Sequence, residues 1–223
     1  LSSLAPQNAG EVVASGGIAM LCETLSRGAT DQTLHTLAQL SQSAVHAVAI
    51  AQQPGALATL CSLVGQPHVR ELAISVLSNL CALGALPTDA LAGPDDLHRL
   101  VAPLLQGGLP PSQRAGLLSL LSRAALEGPG RQALAAVGAP PLLVAAADSG
   151  DANEAVHGLQ ALAHLAADER FRSQLSGWGA LRPLCHSLDP ARALDPRARA
   201  VALSAVANVS FVEPAALLEA GAA

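Results

Sequence analysis

The sequence contains no tyrosine and no lysine, and it has only two phenylalanines and one tryptophan among 223 residues. An apolar core must therefore be built from Leu, Ala and Val. These residues suit closely packed helices, whereas strand-rich folds favour β-branched and aromatic side chains. The scarcity of aromatic residues thus argues against a β-rich fold.

Charged residues are also scarce, at 13% of the chain, while apolar residues make up 51%. This composition is far from the low hydrophobicity of disordered chains. All twelve basic side chains are arginines, and seventeen acidic residues bring the net charge to −5. Because no basic stripe is available to neutralise phosphates, we expect no nucleic-acid partner.

A long stretch without formal charge, Gln32 to Val69, does not predict a membrane span. Pro54 and Gly55 interrupt it, and no apolar run approaches the ~20 residues that cross a bilayer. We therefore expect no membrane partner.

A four-residue phrase recurs five times along the chain, at spacings of 40, 44, 41 and 44 residues. The copies are Leu37–Leu40, Leu77–Leu80, Leu121–Ala124, Leu162–Leu165 and Val206–Val209. A second series of glycines keeps nearly the same period: Gly17, Gly55, Gly93, Gly138, Gly179 and Gly221. A period near 40 is typical of superhelical repeats with two or three helices per unit.

The second unit predicts the plan of one repeat. Residues 43–53 and 56–64 form two short apolar-rich segments, each ended by Gly or Pro. Residues 69–82 then carry apolar residues at helical spacing, which predicts a longer amphipathic third helix. We expect the other copies to follow the same order of short, short and long, with third helices at 31–41, 112–125, 152–166 and 197–210.

The four cysteines do not form the paired framework of a short secreted domain. Cys22, Cys61 and Cys185 follow a marker glycine by five or six residues. This shared position predicts small buried hydrophobic residues, and Cys81 is expected in the core as well. Nothing here requires an oxidising compartment, so we expect a cytoplasmic protein, with the nucleus and the cytoskeleton as alternatives.

The pattern resembles the armadillo repeat over nearly the entire chain. Besides the five phrases, the matching pieces are Ala14–Ile18, Gln53–Leu57, Val137–Ala139 and Trp178–Leu181. The resemblance implies an all-α fold, a right-handed α-solenoid of three-helix repeats. It predicts one array over 1–223, with repeats at about 1–42, 43–83, 84–126, 127–167 and 168–211 and a partial repeat at 212–223. The nearest alternative, the two-helix HEAT class, lacks the short first helix.

Both ends of the array are expected to be open. The chain begins at Leu1, and residues 212–223 resemble the first helix of a sixth unit, so we expect a fragment of a longer array. Open ends of a solenoid would permit self-association.

In armadillo proteins the third helices line up to form a concave groove, and an Asn in each holds the backbone of an extended peptide. A side-chain amide can do so because it offers both a donor and an acceptor. The resemblance places ten polar residues on that groove, at the Asn position and one helical turn before it. They are His35, Gln39, Ser75, Asn79, Ser119, Arg123, Gln160, His164, Ser204 and Asn208.

At two points the groove residues depart from the family's pattern, and these departures narrow the class of partner that the groove could bind. Importin-type adaptors carry Trp one turn before the Asn, whereas this chain has His, Ser or Gln there, so we expect no nuclear-localisation cargo. A catenin-like groove carries several cations for acidic ligands, and only Arg123 is charged among the ten. We therefore expect a groove that is neither strongly basic nor strongly acidic.

Catalytic and metal chemistry find little support in the sequence. His157 and His164 lie seven residues apart, but no carboxylate or thiol accompanies them, so solvated histidines are expected. Asp95, Asp96 and His98 lie where a helix start favours acids, so we expect helix capping. No phosphate-binding loop, nucleophile elbow or Cys-x-x-Cys is present. We expect no enzyme activity, no cofactor and no small-molecule substrate.

The leading hypothesis is a non-catalytic scaffold that binds an extended or helical protein segment along the groove. Two alternatives remain open at this point. The array could be the regulatory arm of a larger multidomain enzyme such as a kinase, or a structural element of a cytoskeletal or axonemal assembly.

Overall fold

The computed structural model describes residues 16–28, 31–87, 89–190, 192 and 194–221. These residues form fourteen helices and no strand, which confirms the all-α prediction. The chain divides into two compact units, Leu1–Ala90 and Leu91–Ala223. The single array over 1–223 and its repeat boundaries stay a prediction. Of the matched piece Ala14–Ile18, Ala14 and Ser15 lie outside the described residues.

Unit 1 contains α1 to α5. Their bounds are α1 Gly17–Arg27, α2 Asp31–Leu40, α3 Ala44–Ala51, α4 Ala56–Leu63 and α5 Arg70–Ala82. Gly16 and Gly55 precede α1 and α4 in the left-handed region, with φ of 75° and 74°. Glycine adopts this conformation without steric cost, which explains why glycines mark the start of the second helix.

Unit 2 contains α6 to α14. Their bounds are α6 Pro94–Gln106, α7 Pro111–Ala124, α8 Gly128–Ala136, α9 Pro140–Ala147, α10 Ala152–Ala167, α11 Glu169–Arg172, α12 Leu181–His186, α13 Pro196–Ser210 and α14 Pro214–Glu219. Asp95 and Asp96 lie in the first turn of α6. The third helices of both units, α2, α5, α7, α10 and α13, agree with the predicted bounds to within one residue.

The order of short, short and long does not hold in every copy. Between α5 and α6 the described residues form turns and no short first helix. In the fifth copy the first helix shrinks to the four residues of α11. The expectation of identical units was therefore wrong for the first helices. The cause in the third copy is visible in the sequence, because Gly84, Pro87, Gly93 and Pro94 leave too few consecutive helix formers.

The third helices pack side by side within each unit. In unit 1, α2 contacts α5, and in unit 2, α10 lies between α7 and α13. Leucines of α2, α5, α7 and α10 at the repeated phrase are fully buried, among them Leu37, Leu77, Leu121 and Leu162. The repeated phrase thus marks the residues with which these long helices contact the core.

Position 203 of α13 departs from this burial. Counted from the repeated phrase, Leu203 corresponds to Leu118 and Leu159, which are 2% and 0% exposed, yet Leu203 itself is 54% exposed. The α13 side that carries Leu203 is therefore open to solvent.

The expected burial of the cysteines is confirmed for three of the four. Cys22, Cys61 and Cys185 are buried, and Cys81 is half-buried. Phe171 is buried and its ring stacks on that of Trp178 with centroids 6.3 Å apart. Among the described residues, no helix combines the length and apolarity needed to cross a bilayer.

Candidate partner-binding faces of the long helices

Each unit presents one polar face on its third helices, called here the long-helix face. In unit 1 it consists of His35, Gln39, Ser75 and Asn79. In unit 2 it consists of Ser119, Arg123, Gln160, His164, Ser204 and Asn208. All ten side chains are exposed or half-buried, although each helix buries an apolar side in the core. The spacing of four residues within each helix keeps these side chains on one side of it.

Asn79 is held by the neighbouring long helix rather than standing free. Its Nδ2 donates to Ser41 Oγ at 2.9 Å and to the Ala38 carbonyl at 3.4 Å. Ser41 is fully buried and its hydroxyl donates to the same Ala38 carbonyl at 2.8 Å. The amide donors of Asn79 therefore join α5 to α2, and its carbonyl oxygen is the atom left to meet a ligand.

Two other polar residues of unit 1 pair along one helix. Gln39 Nε2 and His35 Nε2 lie 3.3 Å apart, one helical turn from each other on α2. Both side chains are exposed. This pair places an amide and an imidazole side by side at the surface.

In unit 2, Gln160 lies at the centre of a small network. Its Oε1 accepts from the Ser122 hydroxyl of α7 at 3.5 Å and lies 3.3 Å from His157 Nδ1. Burial lowers the pKa of the His157 imidazole, although the contact with Gln160 opposes that shift. We therefore assign the neutral imidazole to His157 near pH 7, with Nδ1 as the donor.

His164 has the same tendency for a related reason. Its pKa is lowered first by burial and second by the positive charge of Arg131. Neutral histidines can both donate and accept, so His157 and His164 extend the amide and hydroxyl character of the face. Among the described residues, no group of three or more His, Cys, Asp or Glu side chains could hold a metal ion.

The structure shows a set of arginines that the sequence patterns did not single out. Arg131 donates from Nη1 to the carbonyls of Ala125 and Leu126, at the C-terminal end of α7. Arg172 stands 41 residues later and donates to the carbonyls of Ala166 and Ala167 at the end of α10. Such bonds satisfy the last carbonyls of a helix and complement its dipole. Their shared spacing was the signal that could have found them.

An ion pair joins two long helices of unit 2. Arg114 of α7 contacts both carboxylate oxygens of Glu154 of α10, at 2.8 and 2.9 Å. Glu154 is 4% exposed, and Ser149 Oγ donates to it at 3.1 Å. This bidentate contact fixes the starts of α7 and α10 against each other.

Comparison with known proteins identifies the fold. No protein-family model and no curated protein matches the sequence. A designed armadillo repeat protein matches 92% of this chain and 88% of its own with a TM-score of 0.73 at 21% identity. A computationally designed armadillo repeat protein for modular peptide recognition matches 92% of this chain and 88% of its own with a TM-score of 0.72 at 21% identity.

A third solved structure of the same fold contains a ligand. It is a designed armadillo repeat protein in complex with the peptide (KR)4, with a TM-score of 0.71, 17% identity and coverage of 93% of this chain and 87% of its own. The fold of the present chain is therefore that of the armadillo repeat.

Proposed function

We propose that this chain is a non-catalytic scaffold that binds an extended or helical segment of another protein on its long-helix faces. One observation carries the proposal: in each unit the long helices pack side by side and present amide, hydroxyl and imidazole groups, while other residues of each helix are buried in an apolar core. Such a row of groups can hydrogen-bond the backbone of a ligand that forms no sheet. The peptide complex of a protein with the same fold supports this use of the architecture.

The two asparagines are expected to make direct contacts of this kind. Asn79 keeps its carbonyl oxygen for a ligand, and among the described residues Asn208 has no side-chain hydrogen bond. Both lie at the position where the armadillo family carries its peptide-binding Asn. They are therefore the first residues to replace.

The test is a peptide array probed with the purified chain and with the double variant Asn79→Ala, Asn208→Ala. We expect a subset of peptides to be bound and their signal to fall severalfold in the variant, since each ligand loses hydrogen bonds worth about 1 kcal/mol apiece. The matched control is Gln66→Ala, Gln132→Ala, which removes two exposed amides outside the long-helix faces.

The single variant Asn208→Ala separates binding from stability, because Asn79 also bonds to α2. Equal signals for the wild type, both asparagine variants and the control would show that the asparagines are not contact residues. Absence of any bound peptide would contradict the scaffold function itself.

A further inference from the structure

The long helix α13 exposes a side that equivalent helices bury. Counted from the repeated phrase, residues 203, 206 and 210 correspond to positions that are 0% exposed in the repeats of α2 and α10. These positions are Leu34, Leu37, Ser41, Leu159, Leu162 and Ala166. On α13, in contrast, Leu203 and Ser210 are exposed and Val206 is half-buried. This side of α13 therefore has the position of a packing surface but is open to solvent.

An apolar stripe runs along the exposed side and is called here the α13 stripe. It consists of Ala200, Leu203, Ala207 and the C-cap Phe211, whose spacings of three and four residues place them on one side of the helix. All four side chains are exposed, and the exposed fractions of Leu203 and Phe211 are 54% and 84%. Apolar side chains grouped in this way are typical of interaction sites.

The two ends of the α13 stripe carry opposite charges. Arg197 precedes Ala200 by three residues and is exposed, whereas Glu213 follows Phe211 by two residues and is half-buried. Among the described residues, neither the Arg197 guanidinium nor the Glu213 carboxylate has a hydrogen bond or an ion pair. Glu219 of α14 is exposed and adds a second acid beyond the same end. The stripe is thus flanked by a cation at its start and by acids at its end.

The other charged groups nearby have contacts or positions within the same molecule. Asp195 caps α13 by accepting from the backbone N–H of Arg197 at 2.7 Å. Arg199 Nη2 donates to the Arg192 carbonyl at 3.0 Å. Arg182 lines a cavity of about 550 Å³ between α12 and the end of α14. The charges left to meet a partner at the two ends of the stripe are therefore of opposite sign.

From this arrangement we propose that the α13 stripe binds the same stripe of a second copy of the chain, with the two helices antiparallel about a two-fold axis. A two-fold contact is reciprocal, so Leu203 of each copy can lie against the smaller Ala207 of the other. The same register places Arg197 opposite Glu213 of the other copy, because both pairs are centred on position 205. A parallel arrangement would instead bring like charges together.

This inference goes beyond the proposed binding of peptides and does not depend on it. The contact joins one long helix of each copy and is therefore small, so we expect a weak dimer with a dissociation constant of about 10 to 100 µM. At lower concentrations the chain is monomeric, and unfolding measured there reports on the monomer.

Sedimentation equilibrium of the whole chain, at concentrations from about 1 to about 500 µM, measures the association. We expect monomers and dimers in exchange and no larger species, because a two-fold contact closes on itself. A monomer at every concentration would overturn the proposal. Assemblies that keep growing would overturn it as well, since they require a head-to-tail contact.

The variant Leu203→Gln is expected to weaken the dimer at least about tenfold, since it removes an apolar contact from both halves of the interface. The matched control is Leu105→Gln, which changes a leucine of α6 that is 63% exposed and should leave the dissociation constant unchanged. Circular dichroism melting checks that both variants are folded. Equal dissociation constants for the two variants would show that the stripe is not the contact.

An exchange of charges tests the antiparallel register. Arg197→Glu and Glu213→Arg are each expected to weaken the dimer about tenfold, because two attractive pairs become two repulsive ones. The double variant Arg197→Glu, Glu213→Arg restores opposite signs at both pairs and should associate within about threefold of the wild type. A double variant as weak as the single ones would rule out this pairing of the two helices.

Discussion

At the scale of single residues, arginine side chains stabilise the packing of helices, whereas composition alone would suggest only that they keep the surface polar. Arg131 bonds to two carbonyls at the end of α7 and to Asp168 at 3.1 Å, and its side chain is 18% exposed. A planar guanidinium can serve several acceptors at once, which an ammonium cannot do in the same geometry. The arginines at these positions therefore tie the first helix of one repeat to the long helix before it.

Replacing Arg131 with Ala is expected to lower the free energy of unfolding by about 2 kcal/mol, because carbonyls at the end of α7 and the Asp168 carboxylate lose a charged donor. Urea unfolding followed by circular dichroism measures the change. Arg99→Ala is the control, since Arg99 forms only an exposed pair with Asp96 and should cost less than about 0.5 kcal/mol. Similar losses for the two variants would contradict the capping role.

Asp168 predicts a specific acid dependence of stability. Hydrogen bonds from Arg170, and then from Arg131, hold the pKa of Asp168 far below its usual value. Because the pKa of the folded state is depressed, the contribution of Asp168 is complete above the unfolded-state pKa of about 4 and is lost as pH falls below it. The melting temperature should therefore drop between about pH 4 and pH 2.

The variant Asp168→Asn isolates this contribution. An amide can still accept at the start of α11, but it carries no charge to titrate. We expect the variant to melt below the wild type at pH 7 and the difference to narrow as the pH falls toward 2. A constant difference across this range would show that Asp168 does not titrate with folding.

At the scale of helices, α9 and α10 pack against each other closely at Gly158. A Cβ atom added at Gly158 would lie 2.8 Å from the Leu143 carbonyl oxygen and 2.8 Å from the Ala146 carbonyl carbon. These are backbone atoms of α9, which cannot turn aside as a flexible side chain can. Gly158 is thus a contact residue, although it lies in the middle of a helix.

Gly158→Ala is expected to destabilise the protein by about 2 kcal/mol in net terms. Ala favours a helix over Gly by about 1 kcal/mol, but the overpacking of α10 against α9 costs more than this gain. Differential scanning calorimetry of the variant tests the balance. A raised melting temperature would mean that α9 and α10 can separate without loss.

The third helices were predictable from the sequence because period, apolar spacing and terminal residues agreed. The phrase around Leu77 and its copies places two apolar residues three positions apart on one side of each helix, and a core contact of this kind leaves a strong signal. The first helices were less predictable. They are short, so a Pro or Gly at one or two positions decides whether they form, as residues 84–94 illustrate.

The solvent accessibility of the ten polar residues was also predictable, since none of them is buried, whereas their role as a partner-binding groove stays a prediction. The hydrogen bonds among these residues and their neighbours were not predictable. The contact between Asn79 and Ser41 and that between Ser122 and Gln160 join residues 38 positions apart, so they depend on how neighbouring helices are rotated. The residue pattern determines which side of a helix is exposed to solvent, whereas the hydrogen-bond partner of each amide depends on tertiary packing.

At the scale of the whole molecule, the repeats allow equivalent positions of different long helices to be compared within one protein. Leu159 and Leu203 hold the same place in successive long helices but differ in exposure, at 0% and 54%. Leu159→Ala should cost about 3 kcal/mol, as large-to-small changes in a closed core do. Leu203→Ala should cost less than about 1 kcal/mol, since little of its surface is removed from water.

Chemical denaturation of the two variants measures both losses under the same conditions. Because the substitutions are chemically identical, helix propensity and side-chain size cancel in the comparison. Equal costs would mean that the exposed side of α13 is covered in solution.

Arg131 and Arg172 are 41 residues apart, about one repeat, and this spacing bears on the deletion of a repeat from the gene. Each arginine reaches a carbonyl six residues before it, so removal of residues 131–171 in one in-frame event would bring Arg172 to the end of α7. The long helix α13 would then take the place of α10 beside α7. Loss of this block by unequal recombination should therefore yield a smaller protein in which an arginine still bonds to the carbonyls at the end of α7.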